Sequence, residues 1–252
     1  MKALGNGPFR KAELDDVIAQ ARAASDGHAA EGAQARATDD VPIVSTPDGG
    51  AVDRAPGLRT AIATNLGLFR RVPAAAPLIP AAVAVVMLRD AGGEACIPMF
   101  IRAAGLARHP GQFALPGGKL NPGERAEVAA LRELREELGL AVADDGILGS
   151  LDDFDTRSGF TITPVVLWSG SKAAELQPSD DEVAEVYLLT MPDLRAAVAG
   201  ARPGTSRSFC LELPWGPIYA PTAAILYQFS EAALDGRPSR VNDFYQPPFA
   251  RR

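Results

Sequence analysis

The spacing of apolar residues predicts helices in the first part of the chain. Apolar side chains recur at helical intervals in residues 9–24 and again in residues 58–70. Between them, residues 25–57 are rich in Ala, Gly, Asp and Pro and show little periodicity, which predicts a linker or loop. Residues 1–75 are therefore expected to form a helical N-terminal extension with a linker.

The pattern changes after residue 80 to one that mixes strands with helices. Apolar runs at residues 82–88 and 97–101 predict strands, and a loop rich in Gly and Pro at residues 103–124 leads into a strongly helical run, residues 126–138, which ends before Gly139. Further strands are predicted at residues 147–151, 160–168, 182–189 and 209–213, and short helices at residues 191–198 and 222–229.

Strands outnumber helices in this part of the chain and their connections vary in length. These features favour an α+β fold, with a mixed sheet and helices on its faces, over a regular doubly wound fold. We expect the domain to span residues 76–235, after the extension at residues 1–75 and before a C-terminal tail at residues 236–252.

Charge and composition exclude some classes of protein for this chain. The chain has 25 Lys and Arg against 31 Asp and Glu, a net charge of −6, which argues against a protein that coats nucleic acid. The apolar fraction of 47% is enough for a sizeable core and excludes wholesale disorder. We therefore expect no nucleic-acid partner.

Neither membrane nor disulfide signals are found in the sequence. The most apolar stretch, residues 72–88, is interrupted by prolines, and the first residues lack the apolar core of a secretory signal, so no membrane association is expected. Cys96 and Cys210 lie far apart without a CxxC pair, which excludes a disulfide framework and a cysteine zinc site. A reducing compartment, and hence a cytoplasmic location, is the natural interpretation.

Three acidic residues share one face of the predicted helix at residues 126–138. Glu133, Glu136 and Glu137 stand three and four positions apart, a spacing at which like charges destabilise an isolated helix. A divalent cation such as Mg²⁺, which takes oxygen ligands and bridges to phosphates, would neutralise them. The glycine-rich segment at residues 115–119 would let main chain approach a ligand closely. Taken alone, the helix could equally be an amphipathic one with a solvated acidic face.

The wider spacing decides between these interpretations. The pattern G-x5-E-x7-R-E-apolar-x-E-E-x-G-apolar is met in full by Gly118, Glu124, Arg132, Glu133, Leu134, Glu136, Glu137, Gly139 and Leu140. This segment resembles the box of the Nudix hydrolases. The resemblance implies hydrolysis of a nucleoside diphosphate linked to another moiety, with Mg²⁺ or Mn²⁺, by an α/β/α sandwich in which the box forms a loop, a helix and a loop.

The same resemblance implies the roles of individual residues. Glu136 and Glu137 would be the principal metal ligands, and Glu133 a further ligand or the base that activates water. The carbonyl oxygen of Gly118 would complete the metal site. Each of these assignments is carried over from the matching position of the box.

Three more residues are candidates for the catalytic machinery. Within the box, Glu124 and Arg132 would pair and hold the loop against the helix. Outside it, Glu182 stands in an acidic run, and some Nudix enzymes recruit such a carboxylate as a ligand or base. The alternative for Glu182 is a solvated acid in a loop.

The segment before the box indicates a substrate. Residues 102–118 resemble the motif that precedes the box in coenzyme A pyrophosphatases, and the resemblance to that subgroup spans about residues 80–230. It implies cleavage of coenzyme A or acyl-CoA to 4′-phosphopantetheine and adenosine 3′,5′-bisphosphate. The substrate-binding candidates are Arg102, Arg108, His109, Gln112 and Gly117.

Departures from that motif keep alternatives open. Ala107 stands where the second Arg of the motif is expected, and Ala224 replaces another Arg, although a 3′-phosphate needs cationic partners. ADP-ribose, NADH or another nucleoside diphosphate derivative is the second candidate substrate. A ligand-sensing module without turnover is the third interpretation, and the complete box argues against it.

The partner expected from these observations is a small nucleotide-like molecule, together with a second copy of the chain in a homodimer. The apolar face of the helix predicted at residues 58–70 would either form an interface or cover the sheet.

Overall fold

The computed structural model describes residues 36–37, 42–45, 55–75, 78–105, 111–203 and 209–246. The helix predicted at residues 9–24 lies outside these ranges.

The described strands form one large mixed sheet and one hairpin. The large sheet comprises β1 (Arg36–Ala37), β2 (Pro42–Ser45), β3 (Ile79–Arg89), β4 (Ala95–Arg102), β5 (Phe113–Ala114), β6 (Gly117–Lys119), β7 (Ile147–Ser150), β8 (Phe154–Asp155), β9 (Phe160–Lys172) and β10 (Val183–Thr190). Its main order is β1-β2-β10-β4-β3-β9-β7. The pairs β3–β9 and β2–β10 are parallel and the others antiparallel, and the hairpin joins β11 (Cys210–Leu213) to β12 (Gly216–Tyr219).

Helices cover both faces of the large sheet. They are α1 (Ala55–Leu68), α2 (Ala126–Leu138), α3 (Met191–Gly200) and α4 (Thr222–Gln228), which runs into a π-helical segment, Phe229–Leu234. Alternate residues of β3 point to opposite faces, so Val85 belongs to the apolar cluster that includes residues of α1, α3 and α4. Val86 belongs to the cluster on the other face, with Leu134 and Leu138 of α2. The predicted α+β architecture, a mixed sheet between helical layers, is confirmed.

The glycine-rich segment lies where β3 and β4 separate within the sheet. β3 and β4 pair with each other only where they meet, at Leu88–Cys96 and Arg89–Ala95. Farther along, β5 pairs with β4 and β6 pairs with β3. The main-chain N–H of Ala84 donates to the carbonyl of Pro116 at 2.7 Å, which anchors the connection between β5 and β6. The segment that precedes α2 is therefore held as sheet.

Several elements differ from the sequence prediction. Residues 103–124 are not all loop, because β5 and β6 lie within them, and residues 25–57 contain β1, β2 and the start of α1. The helix predicted at residues 58–70 begins at Ala55 and ends at Leu68. Strands of two to four residues are too short to show a period, and pairing with distant strands imposes their conformation.

Helix α1 covers the sheet instead of projecting from it. Leu58, Ile62 and Leu66 are buried in the same apolar cluster as α3 and α4. The side-chain amide of Asn65 donates to the carbonyls of Ala233 and Leu234 at 2.9 and 3.3 Å. Of the two roles expected for this apolar face, the structure shows the covering role. The domain boundaries and the homodimer stay predictions.

Among the residues that the structure describes, no helix is long and apolar enough to cross a membrane.

Candidate active site

Packing of α2 against the sheet orients the acidic residues of the box. Ala129, Ala130, Leu134 and Leu138 are buried along one side of the helix, and each large side chain stabilises the packing by about 1.5–3 kcal/mol. The helix ends at Gly139, whose φ of 65° is left-handed and whose N–H donates to the carbonyl of Arg135. This ending is the one predicted from the sequence.

Glu137 is the most deeply buried acidic residue of the box. Its side chain is 2% exposed, and each carboxylate oxygen has a partner: Oε2 accepts the main-chain N–H of Gly117 at 2.9 Å, and Oε1 accepts from Nη1 of Arg102 at 3.2 Å. Burial raises the pKa of Glu137 to about 8, although both of these partners favour the charged form. The carboxylate therefore ties α2 to β6 and to the end of β4.

Glu133 lies against the next residue of β6. A Cβ built on Gly118 would stand 2.2 Å from Oε1 of Glu133, so only glycine lets the carboxylate reach the strand. Burial raises the pKa of Glu133; Arg132 opposes this, while the negative charges of Glu136 and Glu182 add to it. A carboxylate cluster thus gathers at the glycines of β6.

Arg132 connects the helix to the loop before it. Its Nε and Nη2 donate to the two carboxylate oxygens of Glu124 at 2.9 and 3.0 Å, and Nη2 also donates to the carbonyl of Lys119. Its Nη1 donates to Glu133 at 2.7 Å and to Glu136 at 3.1 Å. Hydrogen bonds from Arg132 and from the main-chain N–H of Asn121 lower the pKa of Glu124. The pairing implied for Glu124 and Arg132 is the geometry found.

Glu136 lies on the open side of the acidic cluster, and Glu182 adds a further negative charge to it. The side chain of Glu136 is 55% exposed, so its carboxylate faces solvent beside Glu133. The carbonyl of Glu182 accepts the main-chain N–H of Ala103 at 2.9 Å, immediately after Arg102. The negative charge of Glu182 raises the pKa of both Glu133 and Glu137, so its carboxylate acts on the cluster electrostatically.

The donor chemistry of this cluster fits a hard divalent cation. Carboxylates that are partly withdrawn from water and that repel one another are stabilised by a cation, and Mg²⁺ and Mn²⁺ take oxygen ligands. Nevertheless, no three His, Cys, Asp or Glu side chains within the described ranges converge as a ready metal site. In this structure the carboxylates are paired with arginines instead: Arg102 binds Glu137, and Arg132 binds both Glu133 and Glu136.

Three of the five predicted substrate-binding residues lie beside the cluster, near the end of β4. The main-chain N–H of Arg102 donates to the carbonyl of Gln112 at 3.1 Å, and the carbonyl of Arg102 accepts the N–H of Gly111 at 2.9 Å. Arg102 and Gly117 both contact Glu137. Arg108 and His109 lie outside the described residues. The structure thus brings Arg102, Gln112 and Gly117 together at the split of the sheet.

Sequence reasoning missed two main-chain contacts that hold the residues of the box. The carbonyl of Lys119 anchors Arg132, and the N–H of Asn121 donates to Glu124 at 2.7 Å. Almost every residue carries the same main-chain donor and acceptor, so the side-chain pattern did not distinguish these two. The glycines of residues 117–118 were the available signal, because close main-chain approach requires them.

The part of the chain that carries this cluster is similar to known proteins. The NUDIX domain model matches residues 78–209, about half of the chain. A protein of Pectobacterium atrosepticum named uncharacterized Nudix hydrolase NudL is 39% identical over 95 residues, which is 36% of this chain and 48% of that protein. The human protein named mitochondrial coenzyme A diphosphatase NUDT8 is 36% identical over 119 residues, which is 46% of this chain and 50% of that protein.

The mouse protein of the same name is 32% identical over 151 residues, which is 59% of this chain and 69% of that protein. The chain thus spans about half the length of the first two relatives and a larger share of the third. The family-model match includes β3–β10 and the whole acidic cluster. The chain belongs to the Nudix hydrolase family.

Proposed function

We propose that the chain hydrolyses the pyrophosphate bond of coenzyme A or acyl-CoA with Mg²⁺ or Mn²⁺, releasing 4′-phosphopantetheine and adenosine 3′,5′-bisphosphate. The observation that carries the proposal is the approach of Glu133 and Glu137 to the glycines of β6. The substrate is supported by the segment at residues 102–118 and by the names of the human and mouse relatives.

The residues proposed to hold the cation are the three carboxylates of α2 and the carbonyl of Gly118. A divalent cation there would offset the negative charge of the diphosphate and make an attacking water more acidic. Glu133 is withdrawn from water beside Gly118, and Glu136 faces solvent, so the two present oxygens on the buried and open sides of one site.

The remaining residues position the reactants and move a proton. The oxygen of a water molecule forms a bond to one phosphorus while the bridging P–O bond breaks, which yields two phosphate monoesters. Glu133 or Glu182 takes the proton from that water. Arg132 fixes Glu133 through a 2.7 Å hydrogen bond, and the guanidinium of Arg102 lies where it can donate to the diphosphate. Phosphoryl transfer depends chiefly on such positioning and charge stabilisation.

One observation favours a second substrate class, ADP-ribose, NADH or a related nucleoside diphosphate derivative. Ala224, at the position where the subgroup has Arg, is fully buried in the apolar cluster around α4. A buried alanine supplies no cation to a 3′-phosphate, so recognition of that group depends on residues elsewhere.

Product analysis by liquid chromatography and mass spectrometry tests these proposals. Coenzyme A, dephospho-coenzyme A, ADP-ribose and NADH are presented separately with Mg²⁺ or Mn²⁺. Adenosine 3′,5′-bisphosphate formed from coenzyme A at the highest kcat/KM supports the first proposal. A preference for substrates without the 3′-phosphate replaces it with the second. The substitution Glu136→Gln should abolish turnover of whichever substrate is preferred. Unchanged turnover would contradict the assigned site.

We also propose a cytoplasmic location. Cys96 and Cys210 are free thiols, as expected for a protein in a reducing compartment.

A further inference from the structure

The guanidinium of Arg102 binds one oxygen of the buried Glu137 carboxylate. Its Nη1 donates to Oε1 of Glu137 at 3.2 Å, while Oε2 of the same carboxylate accepts the main-chain N–H of Gly117. Gly117 is fixed in β6, so its hydrogen bond is part of the sheet architecture. Oε1 of Glu137 is the oxygen that the sheet does not bind, and it is the one that Arg102 binds.

A guanidinium and a divalent cation cannot both use that oxygen well. Both are positively charged, both need the oxygen lone pairs, and repulsion between them is strong in a site this far from water. Binding of a cation to Oε1 therefore requires that Arg102 move away. The contact at 3.2 Å is at the long end of the hydrogen-bond range, so it opens more readily than a shorter one would.

Arg102 is placed so that it can move toward a substrate. It is the last residue of β4, and its side chain is 22% exposed although its partner Glu137 is 2% exposed. Its guanidinium has five N–H donors in a planar fork that matches phosphate oxygens. Among the described residues, the guanidinium of Arg102 donates its side-chain hydrogen bond to Glu137.

We propose that Arg102 exchanges partners during the reaction cycle: it neutralises Glu137 before the cation binds, and then donates to the diphosphate of the substrate. This inference rests on the diphosphate chemistry of the proposed function, and not on which nucleotide carries the diphosphate. Since the cation releases Arg102 and the diphosphate accepts it, the two ligands bind cooperatively through this one side chain.

The first experiment measures Mn²⁺ binding by electron paramagnetic resonance, without any substrate. Arg102→Gln removes the competitor and is expected to bind Mn²⁺ about tenfold more tightly than the unaltered chain, the effect of one lost charge-assisted hydrogen bond. Arg125→Gln is the matched control, because it removes the same positive charge at a different position. Arg125 is 78% exposed and pairs with Glu127. Equal tightening in both variants, or none in Arg102→Gln, would overturn the proposal.

The second experiment follows the guanidinium of Arg102 in the unaltered chain by ¹⁵N NMR, which does not depend on the folding of a variant. Addition of Mg²⁺ is expected to shift the Arg102 resonance to that of a mobile guanidinium. Further addition of imidodiphosphate, a diphosphate that resists hydrolysis, is expected to shift it back to that of a restrained guanidinium. A resonance that responds to neither addition would contradict the exchange.

The two proposals can fail separately. Absence of turnover with coenzyme A leaves both measurements interpretable, because Mn²⁺, Mg²⁺ and imidodiphosphate carry no nucleotide. If coenzyme A is hydrolysed but the Arg102 resonance stays unchanged, the proposed function stands and the exchange is wrong.

Discussion

The main-chain N–H of Gly117 donates a 2.9 Å hydrogen bond to Oε2 of Glu137, and this contact joins the acidic helix to the split of the sheet. Gly117 pairs with Val83 of β3, so the donor is held by the core of the domain. The carboxylate is thereby placed before any ligand arrives. Pre-organisation of this kind lowers the cost of assembling a charged site during the reaction.

Adjacent glycines of β6 should respond differently to the same substitution. In Gly117→Ala the new Cβ would stand 2.4 Å from the main-chain oxygen of Ala82, and we expect a loss of about 1–3 kcal/mol in the free energy of unfolding, or more. In Gly118→Ala the nearest atom is the carboxylate end of Glu133, at 2.2 Å, which can move aside. We therefore expect nearly normal stability but a large loss of kcat. Thermal melts and steady-state kinetics distinguish the two variants.

Gly67→Ala is the control for this pair. Gly67 lies in α1 with open space around the position of a Cβ, so the substitution should stabilise the chain by about 0.5–1 kcal/mol and leave kcat unchanged. Full activity in Gly118→Ala would show that the close approach of Glu133 to this strand is dispensable.

Neutralising Glu137 should separate stability from activity. Glu137→Gln keeps an acceptor for the Gly117 N–H but removes a negative charge that burial disfavours, as the raised pKa of this carboxyl shows. We expect kcat to fall by about 10²-fold or more, the scale of a lost group at a charge-stabilising site, with a midpoint of thermal unfolding close to that of the unaltered chain. A kcat within a factor of two would remove Glu137 from the site.

Much of this site could be predicted because its signals are local. The spacing of Glu133, Glu136 and Glu137 and the stop at Gly139 depend on residues within two turns of one helix, and the structure has that helix at the predicted bounds, Ala126–Leu138. The contact between Arg102 and Glu137 spans 35 positions and depends on how β4 meets α2. No local period encodes such a contact, so only the folded chain reveals it.

The covering of the sheet shows the same limit. Apolar spacing identified a helix near residues 58–70, but its partners lie far along the chain in the segment Phe229–Leu234. The sequence left open whether that helix forms an interface or covers the sheet. Tertiary packing settles the question, since Ile62 is fully buried within the chain.

Arg132 should not tolerate replacement by Lys. Its guanidinium binds both oxygens of Glu124 and reaches Glu133 and Glu136 from the same planar group. A lysine ammonium keeps the charge but cannot form this fork, so the orientation of Glu133 is lost. We expect Arg132→Lys to lower kcat about 10- to 100-fold, measured under saturating Mg²⁺. Arg125→Lys, at an exposed position, is the control and should leave kcat unchanged.

The ion pair of Glu231 and Arg237 should give a pH-dependent stability. The hydrogen bond from Arg237 lowers the pKa of Glu231 below its ordinary value of 4.5. A carboxyl whose pKa is lowered by folding stabilises the folded chain at pH values above its ordinary pKa. This contribution disappears as the pH falls through the lowered pKa.

Because Arg237 is largely exposed, we expect Arg237→Ala to cost about 0.5–1 kcal/mol at pH 7. The difference from the unaltered chain should vanish in acid. Chemical denaturation at a series of pH values provides the measurement, and a difference that persists in acid, where Glu231 is protonated, would assign the effect to packing.

The contacts across residue 75 predict that a chain starting at residue 76 is much less stable than one starting at residue 55. Removal of residues 55–75 takes away three buried side chains of α1, each worth about 1.5–3 kcal/mol, from a net stability of about 5–15 kcal/mol. It also deprives Asp152 and Asp153 of the main-chain N–H donors of Val72 and Ala74. Buried carboxylates that lose donors add a further cost.

Urea denaturation of the two truncated chains measures this difference. Ile62→Ala in the full chain is the matched point variant and should cost about 2–5 kcal/mol, because Ile62 is fully buried. Leu68→Ala should change stability by less than about 0.5 kcal/mol, because Leu68 is 79% exposed at the end of the same helix. Equal stability of the two truncated chains would instead place the domain boundary at residue 75 and make α1 a dispensable cover for the sheet.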